Sequence, residues 1–212
     1  MNNLKKSIER FYNSTDILET RMKELSSTIL YGGYINIRNQ YHIFVRTVEF
    51  YYHEEEGIAK DPIMYHRNNN AIEGEVPYYP MLSINSHGTG IDITFENPDE
   101  QIRASALIRA YEVWDVSRKR FLVWNAQDQQ FKEYSGIGKK YNTQCLYLKS
   151  FLTGFPTEGN PDILWVGQER TIGEITPMKR QGVYVSSDRQ KYKPIKNRRD
   201  EREWAFRREA EI

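Results

Sequence analysis

Hydrophobic residues along this chain change their period more than once. Leu4, Ile8 and Phe11 recur at helical spacing, and Ser14, Thr15 and Asp16 then offer an N-cap for a further helical stretch over 17–25. Residues 29–37 turn to strand character, with Gly32-Gly33 suggesting a bulge or a hairpin turn. From 41 to 52 the period is two. Ile43, Val45, Thr47, Glu49 and Tyr51 share one face, and Phe44, Arg46, Val48, Phe50 and Tyr52 share the other. β-branched and aromatic residues dominate, so this is a strand, and with neither face cleanly polar it belongs at the centre of a sheet.

Residues 53–75 are polar and read as a long loop, a setting that often carries function. Pro77 and Pro80 make 76–84 irregular or edge-like, and 85–90 form a tight turn before an alternating strand at 91–95. Residues 104–114 fit helix or strand, but their apolar continuity between two turns favours a strand carrying Arg109. Short strands are expected at 121–124, 163–166 and 182–186, a helix at 143–152 capped by Asn142 or Thr143, and a charged terminal helix at 200–211. The whole of 1–212 reads as a single α+β domain with a mixed sheet, in which 178–212 form a basic C-terminal strand and helix.

Composition adds exclusions. One cysteine, Cys145, rules out an intramolecular disulfide and a Cys-based zinc site, and fits a reducing compartment. No apolar run approaches the roughly 20 residues that span a bilayer, and residues 1–7 lack the apolar stretch of a secretory signal. A soluble cytoplasmic monomer that engages no membrane is expected. His42, His53, His66 and His87 show no ligand spacing, and 54–56 are better read as a solvated acidic turn, so no metal is implied.

Charge is uneven. Residues 178–199 hold eight Lys or Arg against Asp188, a local +7 within a chain of net +1, so the remainder carries −6. Such a segment contacts phosphates or is a solvated surface, with Lys179, Arg180, Arg189, Lys191 and Lys193 as candidate contacts. Glu49, set among aromatic residues, is the other conspicuous feature. A buried carboxylate is costly unless it is paired or shifts its pKa, which points to a structural ion pair or a functional site.

Several stretches together resemble the alkyladenine (3-methyladenine) DNA glycosylases. Val45-Arg-Thr-Val-Glu-Phe-Tyr51 carries the Glu-x-Tyr ending of that family's active-site strand, and Leu107-Ile-Arg-Ala-Tyr-Glu112 is similar to its L-L-R-A-L-E. Tyr65-His66 stands where a loop histidine belongs to the base pocket, and His87-Gly88-Thr89 resembles the Tyr-Gly-Met turn. Lys193-Pro-Ile195 resembles the K-P-L near the family's C-terminus. The sequence departs from the pattern at His87 for the wedging tyrosine, at Ile84 for a pocket tyrosine with Tyr78 and Tyr79 nearby, and at Thr94 for the discriminating asparagine.

The resemblance implies a curved, mixed but mainly antiparallel sheet flanked by helices. It also implies excision of an alkylated purine from double-stranded DNA, without a cofactor and without a lyase step. Glu49 would activate water and Arg109 would keep it ionised, while Tyr51 and His66 stack the flipped base, His87 fills the gap and Thr94 contacts the base. The alternative is a relative that binds nucleic acid or protein and has lost catalysis.

Overall fold

The structure, a computed structural model, describes residues 3–61, 64, 77–86, 91–143, 163–168, 173–180 and 200–209. Helices α1 (Asn3–Asn13) and α2 (Leu18–Tyr31) lead into strands β1 (Gly33–Ile37) and β2 (Tyr41–Glu54). Then follow β3 (Ile84–Ser86), β4 (Ile91–Thr94), β5 (Ile102–Asp115), β6 (Arg120–Asn125) and β7 (Gln130–Glu133). The described strands end with β8 (Ile163–Gly167), β9 (Ile175–Met178) and β10 (Ala205–Arg208). They form one sheet in the order β3-β4-β5-β2-β1-β8, with β6 and β7 continuing from β5, β10 added to β2 and β9 added to β10. Every described strand pair is antiparallel. The result is an α+β domain with a curled sheet and two helices. No helix among the described residues is long and apolar enough to cross a membrane.

Helical spacing explains the helices. Leu4, Ile8 and Phe11 of α1, and Met22, Leu25 and Ile29 of α2, form buried stripes against one face of the sheet. The Phe11 ring meets those of Tyr52 and Phe95 edge-on, at 5.9 and 5.4 Å between centroids. Helix α2 runs six residues beyond the expected 25, because Ile29 and Leu30 prolong its buried stripe. The two glycines mark the change from helix to strand. Gly32 closes α2 through its N–H to the Thr28 carbonyl (2.8 Å), and a side chain at Gly33 would collide with the Val166 carbonyl of β8. Helix α2 opens without a side-chain cap; Ser14 instead bonds Asp16.

Strands β2 and β5 pair along almost their whole length, and the register shifts twice around Thr47, which faces Ala110. Arg46 is the extra residue on β2 and Arg109 the extra residue on β5, so the two shifts cancel and the original register resumes at Val48 and Ile108. Each extra residue also swaps the faces. The hydrophobic cluster takes Ile43 and Val45 before the shift, then Val48, Phe50 and Tyr52 after it. On β5 it takes Ala104, Ala106 and Ile108, then Tyr111 and Val113. The uniform alternation expected for 41–52 is thus corrected. Thr47, Glu49 and Tyr51 lie opposite the helices, while Ile43 and Val45 lie beneath them.

The terminal segment also departs from expectation. Where a charged helix was expected over 200–211, β10 pairs with both β2 and β9. Strand β1 covers β2 only at residues 41–43, leaving the backbone of the next stretch in need of a partner. β10 supplies it at Thr47–Glu49, the Phe50 N–H continues to the Trp204 carbonyl at 2.7 Å, and the Phe206 ring packs on Phe50. β7 and β9 had no clear signature in the sequence, and the strands expected at 91–95, 104–114, 121–124 and 163–166 are present. The helix expected at 143–152 lies almost wholly outside the described residues, and the strand at 182–186 entirely so.

Phe50 is fully buried between Phe95 and Phe206 on the helix-facing side of β2. Phe50→Ala is expected to lower stability by about 3–5 kcal/mol, read as a shift of the urea unfolding midpoint at unchanged slope.

Candidate functional site

Glu49 stands at the middle of β2 on the face away from the helices, and none of it is exposed. Its charge is met where it lies. Arg109 Nη2 is 2.7 Å from Oε2, and the Tyr51 hydroxyl donates to the same oxygen at 3.3 Å. Arg109 Nη2 also approaches the Tyr51 hydroxyl at 3.5 Å. The register shift lets Arg109 do this: its neighbours Ile108 and Ala110 are buried, whereas its own side chain keeps 26% exposure. Glu49 is therefore closed off, and the group that holds it reaches solvent. Burial first, and then the Glu49 charge, push the Tyr51 hydroxyl above its usual range, so it stays protonated as a donor.

A second carboxylate shares this face. Asp92 of β4 and Glu49 of β2 are both register partners of Leu107, so the three lie on one rung with their side chains on the same side of the sheet. Two strand spacings separate the backbones of the two acids, about 10 Å, and Asp92 is itself buried. Sequence reasoning passed over this residue. Its signal was the alternation at 91–94, which sends Ile91 and Ile93 into the core and Asp92 to the opposite face.

Tyr51 is backed by a cluster that was also missed. The Arg180 guanidinium lies 4.8 Å from the Tyr51 ring centroid and 5.1 Å from that of Trp204. It bonds Asp61 through Nη1 (2.6 Å) and Nη2 (3.2 Å), Asp200 through Nε (2.8 Å), and the Phe50 carbonyl. Arg202 joins the same two acids at 3.2 and 2.9 Å and covers the Trp204 ring. Arg180 was expected on a phosphate-binding surface. That expectation is corrected: the side chain has no exposure and is committed to two aspartates. Burial alone would pull its pKa down, but Asp61 and Asp200 outweigh this and hold it charged.

The polar face continues in both directions. Towards the end of β2, the Asp61 N–H donates to His53 Nδ1, Glu55 pairs with Arg103, and Arg103 lies 3.5 Å from the Tyr78 ring centroid and pairs with Glu96. Towards its start, Glu112 receives Arg46 and Arg208 at 3.2 and 2.9 Å, with Lys140 at 3.5 Å.

The remaining expected residues divide. Thr94 shares a rung with Ser105 and Tyr51, but its hydroxyl lies within bonding distance of the Pro80 and Ser83 carbonyls, where it secures a turn. Ile84 belongs to the hydrophobic core, and Tyr79 is tied to Glu96 by its backbone N–H. Lys179 is exposed and pairs with Glu201. His66, His87, Arg189, Lys191 and Lys193 lie outside the described residues. Among the described residues no group of three or more His, Cys, Asp or Glu is placed to hold a metal. No protein-family model, curated protein or solved structure matches the chain.

Asp200 is the part of this cluster that acid should release. Burial works to raise its pKa, but the Arg180 charge and the Arg202 hydrogen bond outweigh it and hold the carboxyl below its ordinary value. A depressed folded-state pKa contributes stability above the unfolded value of about 4 and loses it as pH falls through the lower folded value. The stability difference between wild type and Asp200→Asn should therefore be constant from neutral pH to about 5 and shrink below about 4. Urea titrations across that range read it directly.

Proposed function

We propose that this chain is a DNA base-excision glycosylase, hydrolysing the N-glycosidic bond of an alkylated purine turned out of the duplex. The observation that carries the reading is the Glu49–Arg109 contact at 2.7 Å across adjacent strands. The two residues come from the two stretches that most resemble the alkyladenine glycosylases, and they are 60 positions apart in the chain. The fold expected from that family, a curved and mainly antiparallel sheet flanked by helices, belongs to the same proposal.

In this reaction the bond between C1′ of the sugar and the base nitrogen breaks, and the base leaves with the bonding electrons. Water adds to C1′ and gives a proton to Glu49. The anionic carboxylate also faces the positive charge that develops on the sugar. Arg109 meets the Glu49 charge at 2.7 Å, and the Tyr51 hydroxyl fixes its rotamer. An alkylated, cationic purine departs as a neutral base and needs no further proton. A neutral purine leaves as an anion unless a proton reaches its ring, a second carboxyl role for which Asp92, on Glu49's rung, is our candidate.

The second reading, a relative that binds nucleic acid or protein without catalysis, is favoured by the complete burial of Glu49 beneath its own ion pair. Measuring free base released from alkylated duplex DNA separates the two. Glu49→Gln should reduce release by about 10²–10⁴-fold. Asp92→Asn should reduce release of a neutral deaminated purine and leave that of a cationic one unchanged. Undiminished release by Glu49→Gln sinks the catalytic assignment. No release by the wild type, with DNA binding retained, establishes the binding relative.

A further inference from the structure

The far end of the same sheet face gathers a second set of aromatic rings. Across the strands His42 pairs with Trp114, and Trp114 with Phe121, while the adjacent pairs Ile43–Val113 and Val113–Leu122 belong to the hydrophobic core. The three rings therefore stand opposite the helices, on Glu49's side, with Tyr34 beside them. All four are half-buried, and none is a member of the core cluster. Tyr34 and His42 lie 4.1 Å apart at 31°, and Trp114 meets Phe121 at 4.8 Å. Burial lowers the His42 pKa, so at neutral pH it presents an uncharged ring.

Cations lie among the rings. Lys140 Nζ is 4.2 Å from the Phe121 centroid, while Lys139 Nζ and Arg46 Cζ are 5.6 and 5.7 Å from that of Tyr141. Beyond them, the β1–β2 and β5–β6 turns are joined by the Val116 N–H and the Gln40 carbonyl at 3.0 Å. The second of those turns adds Arg118 and Lys119 to the same end, where Asp115 answers Arg118 and Glu112 answers Arg46 and Lys140. Positive charge remains in excess. A protein partner would call for a centre depleted of charge. Flat rings interleaved with cations suit instead a polyanion that carries flat groups.

We infer that this face holds an unpaired nucleic-acid strand, with bases stacked on Trp114, Phe121, Tyr34 and His42 and phosphates against Lys139, Lys140 and the turn cations. Paired bases offer their edges and leave few ring faces to stack, so a single strand is the occupant and a duplex is the competitor. Glu49 lies seven positions along β2 from His42, about 23 Å of extended strand. The surface is thus distinct from the proposed catalytic centre and stands without it.

The test is fluorescence anisotropy of the full chain with an undamaged, labelled oligothymidylate of about twelve nucleotides, compared with a duplex of equal length. The single strand should bind more tightly. Trp114→Ala combined with Phe121→Ala should weaken it about tenfold or more. Lys139→Ala with Lys140→Ala should reduce the slope of log affinity against log salt by about 1.4. Trp114→Phe keeps a ring and guards against misfolding: affinity should stay within about twofold, while the tryptophan quenching caused by unlabelled oligonucleotide diminishes. Equal binding of duplex, affinity indifferent to ring loss, quenching intact in Trp114→Phe, or a second copy of the chain closing this face in sedimentation would each overturn the inference. Base release plays no part in the readout, so its failure leaves this result standing.

Discussion

A carboxylate without exposure, at the centre of the central strand, constrains the structure around it. Glu49 cannot sit there uncompensated, because an unpaired buried charge costs about 3–5 kcal/mol or more. Its partner must come from the neighbouring strand, and a regular β5 gives no reason for an arginine there to be half in and half out. The register shift at Arg109 provides that placement, and the opposite shift at Arg46 restores the ladder beyond it. Two irregularities in one strand pair thus serve one ion pair, and the core beneath is kept continuous because both strands change faces together.

From that pair the polar contacts spread. Tyr51 donates to Glu49, Arg180 covers Tyr51, and Asp61 and Asp200 neutralise Arg180 with Arg202. This chain of contacts is what the C-terminal segment contributes. It lays β10 on β2, with β9 beyond β10, and ties Asp61, from within the polar stretch 53–75, to the same point. Networks of this kind hold side chains in single arrangements when their members are satisfied. Such rigidity suits a site whose chemistry depends on a fixed carboxylate.

The two faces of the sheet therefore have different tasks. One buries helices α1 and α2 over aromatic and aliphatic residues. The other carries charge along β2 and β5, from Glu112 through Glu49 to Arg103, with half-buried rings and cations at one end. Nucleic-acid contact was expected from the basic segment 178–199, yet its Arg180 is internal and its Lys179 is matched by Glu201. The inferred strand-binding face uses residues scattered over 34–141, whose basic runs are short, 118–120 and 139–140, and lie apart in the chain, and that is why charge counting did not reach it.

By itself the sequence determined the local elements: helical stripes at Leu4, Ile8 and Phe11, a period-two strand around Glu49, and strand character at 104–114. It also singled out Glu49 and Arg109, through short motifs whose residue types suit the proposed chemistry. These features depend on near neighbours in the chain, so they are readable there. Tertiary structure alone decided that residues 60 apart meet at 2.7 Å, that Asp92 shares their rung, and that Arg180 is internal. It also turned the terminal segment into a strand, because β2 had an uncovered backbone edge that only a distant part of the chain could satisfy. Register, burial and backbone pairing are relations between separated segments, and a one-residue shift at Arg46 reverses which side chains face the core without altering the composition of the strand.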